Sequence, residues 1–287
     1  MNFRTQIEIP FFKEKIDLAD SLFFIGSCFS DNIGNILSNN GFHCTINPYG
    51  ATYNPLSICK ILSSIEEKKD LDNDQIVESD GVFRSLLHHS FIYGNTKNEL
   101  LNATKAVNIK AYEELKNSNY IIITLGTSWV FEYIKIGEIV NNCQKIPAKE
   151  FNRYELSIDD IVEAFSSLIE HSTLLHDKKI IFTLSPIRHL KDGLIGNSLS
   201  KATLRVAIDI LSHRFSNIWY FPAYEIMMDD LRDYRFWERD MTHPSPVAIE
   251  YIFDIFKEAL INKDCFQPMK EHEKAQKALA HRSIIKK

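Results

Sequence analysis

Short uncharged runs alternate with stretches of helical periodicity along most of this chain. Residues 22–25 (LFFI), 42–46, 120–125 (YIIITL), 179–184 (KIIFTL) and 218–221 read as buried strands. They are short, rich in β-branched or aromatic residues, and mostly closed by Gly, Asn-Pro or Ser-Pro. Between them, helices are expected over about 30–38, 55–66, 99–116, 158–171, 197–212 and 246–261, with Pro55 placed as a first-turn proline. A shorter strand is expected over 129–136, and the charged stretch 67–80 reads as a surface loop. Alternation of this kind predicts an α/β fold: a mostly parallel sheet covered by helices on both faces. Ligands of such sheets bind beyond the carboxyl ends of the strands, so the residues just after each strand are the ones to inspect.

Composition narrows the classes. The 287 residues are 45% hydrophobic and 25% charged, ordinary for a globular chain able to bury a large core without disulfides or metals. A net charge of −5 gives no footprint of a nucleic-acid partner. Residues 268–287 carry six Lys or Arg against two Glu, a local +4 that leaves about −9 elsewhere. They read as a basic, solvated tail after a single domain over 1–267. The N-terminus has charges throughout, and no run reaches the ~18 apolar residues of a membrane span, so the expected location is cytoplasmic. Five widely spaced cysteines without a C-x-x-C pair predict reduced thiols and neither a zinc site nor a disulfide scaffold. With no Walker loop, G-x-G-x-x-G or H-E-x-x-H, neither metal nor cofactor is expected.

The strand ends carry the candidate chemistry. After the first strand comes Gly26-Ser27-Cys28-Phe29-Ser30-Asp31. A glycine allows a sharp turn, and the helix N-terminus behind it aims unpaired N–H groups at Cys28. Those donors are expected to lower the thiol pKa and to hold an oxyanion. Asp240-Met241-Thr242-His243-Pro244-Ser245 opens the last helix; an Asp three residues before a His can reach one imidazole nitrogen and leave the other as a base. Asn47-Pro48-Tyr49-Gly50 follows the second strand and Gly126-Thr127-Ser128-Trp129 the central one. Arg188, in Ser185-Pro186-Ile187-Arg188-His189, suits an anionic or sugar group or a structural ion pair. His88, His89 and His189 offer a weaker, metal-dependent alternative.

These blocks, in this order, resemble the GSCFA domain family of the SGNH/GDSL hydrolase superfamily over about residues 1–260. The naming motif is Gly26-Ser27-Cys28-Phe29-Ser30, with serine in place of its alanine. The resemblance implies a flavodoxin-like three-layer α/β/α sandwich. It also implies an esterase or acyltransferase acting on a small acyl ester, which includes esters of sugars or glycans. Cys28 falls at the superfamily's nucleophilic serine, Gly50 at the glycine that lends an N–H to the oxyanion hole, and Asp240 and His243 at the Asp-x-x-His pair. Ser27, one residue before Cys28, is the rival nucleophile. The third block departs from the pattern: Ser128 stands where the superfamily has an oxyanion-binding asparagine. Loss of one such donor typically costs ~10²–10³ in rate. Either Asn47 or Asn142 substitutes for it, or the chain is a non-catalytic ligand-binding module.

Overall fold

The computed structural model describes residues 5–285. Along the chain run β1 (Ser21–Gly26), α1 (Cys28–Asn39), β2 (His43–Ile46), α2 (Pro55–Glu66), β3 (Ile76–Ser79), β4 (Val82–Ser85), β5 (Tyr93–Gly94), α3 (Lys97–Asn117), β6 (Tyr120–Leu125), β7 (Trp129–Tyr133), β8 (Glu138–Val140), β9 (Phe151–Glu155), α4 (Ile158–His171), β10 (Lys179–Leu184), α5 (Gly193–Arg214), β11 (Ile218–Phe221), the single turn α6 (Ala223–Glu225), α7 (Pro246–Leu260) and α8 (Phe266–Ile285).

The central sheet has the order β11-β10-β6-β1-β2, and every pair in it is parallel. Counting only these five strands in chain order gives 2-1-3-4-5, the flavodoxin-like arrangement. Its strands are apolar on both faces because both faces are covered. Phe23, Ile25, Ile121, Ile123, Ile180 and Phe182 join one buried cluster with residues of α2, α3, α4 and α5. Leu22, Phe24, Ile122 and Ile181 join the other with residues of α1 and α7. The three-layer α/β/α sandwich expected from the alternating pattern is therefore the architecture found. Its topological switch point lies between β1 and β6, the place where ligands of such sheets bind.

Two antiparallel sheets, β3-β4-β5 and β8-β7-β9, were not expected. The stretch 67–80 is not all loop, since β3 lies in it and pairs with β4 from Ile76↔Ser85 to Ser79↔Val82. Its partner is nine residues of chain away at most, and the turn between them is Asp80-Gly81 with both residues at positive φ (54° and 74°). An Asp-Gly turn of that kind is a hairpin signal legible in the sequence. The strand expected over 129–136 stops at Tyr133, where the chain turns back into β8.

The proposed boundary at residue 267 falls inside the first turn of α8, and Met269 of that helix is buried against the α1–α7 side of the core. Residues 1–4 of the expected domain and 286–287 of the expected tail lie outside the described residues. No helix among the described residues is long and apolar enough to cross a membrane.

Candidate active site

The turn after β1 is built by close approach. Gly26 pairs with Thr124 of β6 and has φ +143°; a Cβ there would sit 2.2 Å from the Thr124 carbonyl oxygen, so only glycine fits. Ser27 follows in extended conformation as the N-cap of α1, its Oγ accepting the Phe29 N–H at 3.3 Å. Its side chain is buried, so the rival nucleophile serves as a helix cap. Cys28 is the first residue of α1 and is only partly buried. Asn47, at φ +41° just past β2, fastens this turn from the other side. Its Oδ1 accepts the Gly26 N–H at 2.8 Å and its Nδ2 donates to Asp31 Oδ1 at 2.8 Å.

The thiol is not activated by its position alone. Burial raises the Cys28 pKa and the Asp31 carboxylate in the first turn of α1 raises it further; the Cys28 N–H and the Lys201 ammonium pull it down. The balance is upward, contrary to the expectation from the helix N-terminus, because burial outweighs the N–H donors and the half-buried Asp31 carboxylate of the same turn adds to it. The resting form at neutral pH is the thiol, and a base is required.

His243 is held in a tight turn closed by the antiparallel bridge between Trp237 and Pro244. Within it Glu238 N–H donates to the His243 carbonyl at 2.7 Å, and Met241 takes φ +57°. Asp240 Oδ1 accepts the N–H groups of Thr242 (2.9 Å) and His243 (3.0 Å), while Oδ2 lies 2.5 Å from His243 Nδ1. The two backbone N–H groups and then the imidazole hold the Asp240 carboxyl well below the usual carboxylate range. With Nδ1 occupied, Nε2 is the nitrogen left for proton transfer. Arg188 ties this turn to the segment after β10: its N–H donates to the Thr242 carbonyl at 3.1 Å and its guanidinium lies 3.8 Å from the Trp237 ring centroid. No carboxylate ion pair accompanies it among the described contacts, so stacking on Trp237 positions Arg188 in place of the structural ion pair considered from sequence.

The expected oxyanion donors are mostly committed elsewhere. The Gly50 N–H donates to the Asn47 carbonyl at 2.7 Å and closes its own turn. Glycine is needed there because a Cβ would sit 2.2 Å from that of His89. Ser128 is buried; its Oγ donates to Glu155 Oε1 at 2.7 Å and its N–H to Ser200 Oγ at 2.8 Å, binding β7 to β9 and α5. Asn142 donates its N–H to the Leu86 carbonyl and accepts the Gln144 N–H at 2.9 Å, which places it with the small sheets. Asn47, as described, shapes the nucleophile turn. None of these four therefore presents an uncommitted group in the way the superfamily pattern implies, apart from the Asn142 amide nitrogen, whose backbone is anchored to Leu86.

A family model, the GSCFA family, matches residues 21–256. The chain belongs to the GSCFA family. No curated protein sequence matches it. Among solved structures, it is similar to a catalytic mutant of an acetylxylan esterase from Geobacillus stearothermophilus (12% identity, TM-score 0.45, covering 85% of this chain and 95% of that one). It is also similar to a family two carbohydrate esterase from Clostridium thermocellum in complex with cellohexaose (11%, TM-score 0.41, 85% and 64%). A third likeness is to an acetyl xylan esterase from Butyrivibrio proteoclasticus (10%, TM-score 0.39, 84% and 64%).

In this GSCFA protein the groups missed by sequence reasoning are Lys201 of α5 and Tyr53, while His89 and His189 enter it only as metal ligands. Lys201 is buried, and its Nζ donates to the carbonyls of Gly126 (2.7 Å) and Ser185 (2.8 Å) just past the ends of β6 and β10. Burial lowers its pKa to about 7, against a pull upward from Cys28. A lysine within an amphipathic helix carries no sequence signal of burial. His189 is lowered to about 4 by burial and by Lys201, and its Nε2 is buried without a hydrogen-bond partner among the described residues. His89 Nδ1 is in the same condition, and its charge acts on Asp31. Tyr53 lies with its ring 5.7 Å from that of His189, edge-on, and its hydroxyl is raised by burial, Cys28 and Asp31. His88 points elsewhere, stacked on Tyr49 (4.1 Å) and bonded to Ser85 Oγ at 2.8 Å. Consequently His88, His89 and His189 do not form a metal-binding trio, and the described residues contain no cluster of three His, Cys, Asp or Glu suited to one.

Proposed function

We propose that this GSCFA protein is an ester hydrolase or acyltransferase acting on a small acyl ester, with Cys28 as nucleophile, His243 as base and Asp240 as its orienting carboxylate. One observation carries the reading: the Asp240–His243 pair, with its Nε2 left available, is tied through Thr242 to Arg188 just past the end of β10, as the Cys28 turn lies just past the end of β1 in the same parallel sheet. Ser27 fits the nucleophile role less well because its hydroxyl is buried as a cap.

In the reaction His243 Nε2 takes the proton of the Cys28 thiol. The sulfur forms a bond to the acyl carbon, and the carbonyl π pair moves onto oxygen, where the Cys28 N–H is the donor at hand. Collapse breaks the bond to the ester oxygen, which leaves with the proton from His243. Water, or an acceptor hydroxyl, then gives a proton to His243 and attacks the thioester; the thiolate leaves and is reprotonated. Arg188 with the Trp237 and Tyr234 rings beside it offers a cation and aromatic faces next to the His243 turn, which suits an acyl group carried on a sugar or glycan.

The test is p-nitrophenyl acetate with an early quench and peptide mass mapping. An acetyl group on Cys28 that turns over in the wild type, is absent in Cys28→Ala, and in His243→Ala forms more slowly and is not released is the expected result. Turnover intact in both variants would overturn the mechanism. A non-catalytic binding role is favoured by the raised thiol pKa and the committed Ser128; ligand binding without turnover across a panel of acetylated sugars would establish it instead.

A further inference from the structure

Lys201 stands apart from the groups used so far. It projects from α5 into the layer beneath the strand ends and is only 2% exposed. Taking an ammonium out of water is expensive unless its charge is matched, yet both of its hydrogen-bond acceptors are neutral carbonyls. An ammonium has three N–H donors, and these two bonds leave one. The acceptors also fix where it sits. Gly26 and Thr124 are paired across β1 and β6, so Cys28 and Gly126 each lie two residues beyond the same rung of the sheet, on strands ~4.8 Å apart. Holding the Gly126 carbonyl therefore holds the Lys201 ammonium at the level of the Cys28 turn, at the switch point between β1 and β6.

We propose that Lys201 is a positioning residue: its ammonium, fixed on the Gly126 and Ser185 carbonyls, is the counter-charge for the Cys28 thiolate that forms when His243 takes the thiol proton. This rests on Cys28 being the nucleophile. The proton balance is simple. With Lys201 in its charged form, which prevails below its pKa of about 7, the thiol loses H⁺ to His243 Nε2, Lys201 keeps its protons, and the thiolate and ammonium form a neutral pair inside the protein. The electrostatics agree with the placement. Cys28 is the one ionisable group that raises the Lys201 pKa, and Lys201 the one side chain that lowers that of Cys28. The other charged and titratable groups around the pair work against it or at its edge. Asp31 from α1 opposes the thiolate, Tyr53 follows β2 and is raised by burial and then by Cys28, and His189 after β10 is kept neutral by burial and then by Lys201. The Tyr224 ring centroid is 5.6 Å from Nζ.

The experiment is a pH profile of Cys28 alkylation by iodoacetamide on the full chain, read on the Cys28 peptide between pH 6 and 10.5. Lys201→Met is expected to slow alkylation about tenfold at about pH 6 to 7, where Lys201 still carries charge, equivalent to a thiolate about one pH unit harder to form. An unchanged rate in that range in folded Lys201→Met would overturn the proposal. Because removing a buried hydrogen-bonded lysine threatens folding, a reciprocal measurement uses a milder variant. Coupling between two titrating groups is mutual, so the ¹³Cε titration of Lys201 must fall to lower pH in Cys28→Ser than in the wild type. Coincident Lys201 titrations in the two proteins would overturn the proposal as surely. Both outcomes are separable from the esterase reading. Shifted titrations without any ester turnover would remove the activity and keep the pair, while acyl transfer through Cys28 with unshifted titrations would remove the pair alone.

Discussion

Asn47 shows how much a single side chain arranges here. Its amide joins the end of β1, through the Gly26 N–H, to the first turn of α1, through Asp31. Both partners lie beside Cys28, so the geometry of the nucleophile turn and the charge of its nearest carboxylate depend on one residue. Asn47→Ala is expected to lower stability by ~1–3 kcal/mol, the usual cost of a buried donor left without its acceptor. It should also slow Cys28 acylation by freeing Asp31. Urea unfolding monitored alongside the acylation rate checks this; a variant as stable and as fast as the wild type would show that the amide is dispensable.

At the scale of elements, the helices are capped by the residue types that satisfy their exposed N–H groups. Ser27, Asn54, Thr96, Ser157 and Ser245 all accept from their own helix. In α4 the cap is reciprocal: Ser157 Oγ accepts the Asp160 N–H at 3.1 Å and Asp160 Oδ2 accepts the Ser157 N–H at 2.8 Å. α4 packs its apolar face on α2, α5 and the sheet and supplies none of the candidate site residues. Ser157→Ala is therefore expected to cost ~0.5–2 kcal/mol in denaturant unfolding while leaving kcat/KM for p-nitrophenyl acetate unchanged. A large loss of activity with intact stability would mean that α4 is coupled to the site. Ser27→Ala removes a cap of the same kind but next to Cys28, and comparing the two separates helix stability from nucleophile placement.

Over the whole molecule, buried bases set the acid response. Burial lowers His88 to about 3 and His189 to about 4, whereas an unfolded histidine titrates near ~6.5. The folded state therefore holds these rings neutral, and the unfolded chain binds more protons wherever the pH lies between the two values. Stability rises with pH in that window: the contribution is complete above ~6.5 and is lost as the pH falls toward 4 and then 3. Tm should accordingly drop steadily from pH 6.5 to 4, and His88→Gln should flatten part of that slope. A Tm that holds or climbs on acidification through this range would contradict the assignment. Lys201 acts in the same direction in a higher window, from the unfolded value near ~10.4 down to about 7.

The sequence by itself determined the layers. Strands such as Tyr120–Leu125, Lys179–Leu184 and Ile218–Phe221, and helices such as Pro55–Glu66 and Ile158–His171, are legible to the residue because periodicity and caps are local. The motifs Gly26-Ser27-Cys28 and Asp240 to His243 are legible for the same reason, since each is one short run of chain, although Asn47 and the Trp237–Pro244 bridge hold their geometry. What only the tertiary structure decided is which groups meet. The commitment of Ser128 to Glu155 and Ser200, of Asn47 to Gly26 and Asp31, and of the Gly50 N–H to its own turn depends on packing, and much of it on contacts across many residues of chain. The direction of the Cys28 pKa was equally invisible, because it is a sum of burial, Asp31 and Lys201, and Lys201 is 173 residues away along the chain but level with the thiol across the sheet. Hydrophobic pattern is a property of neighbours in sequence; charge balance and hydrogen-bond satisfaction are properties of neighbours in space.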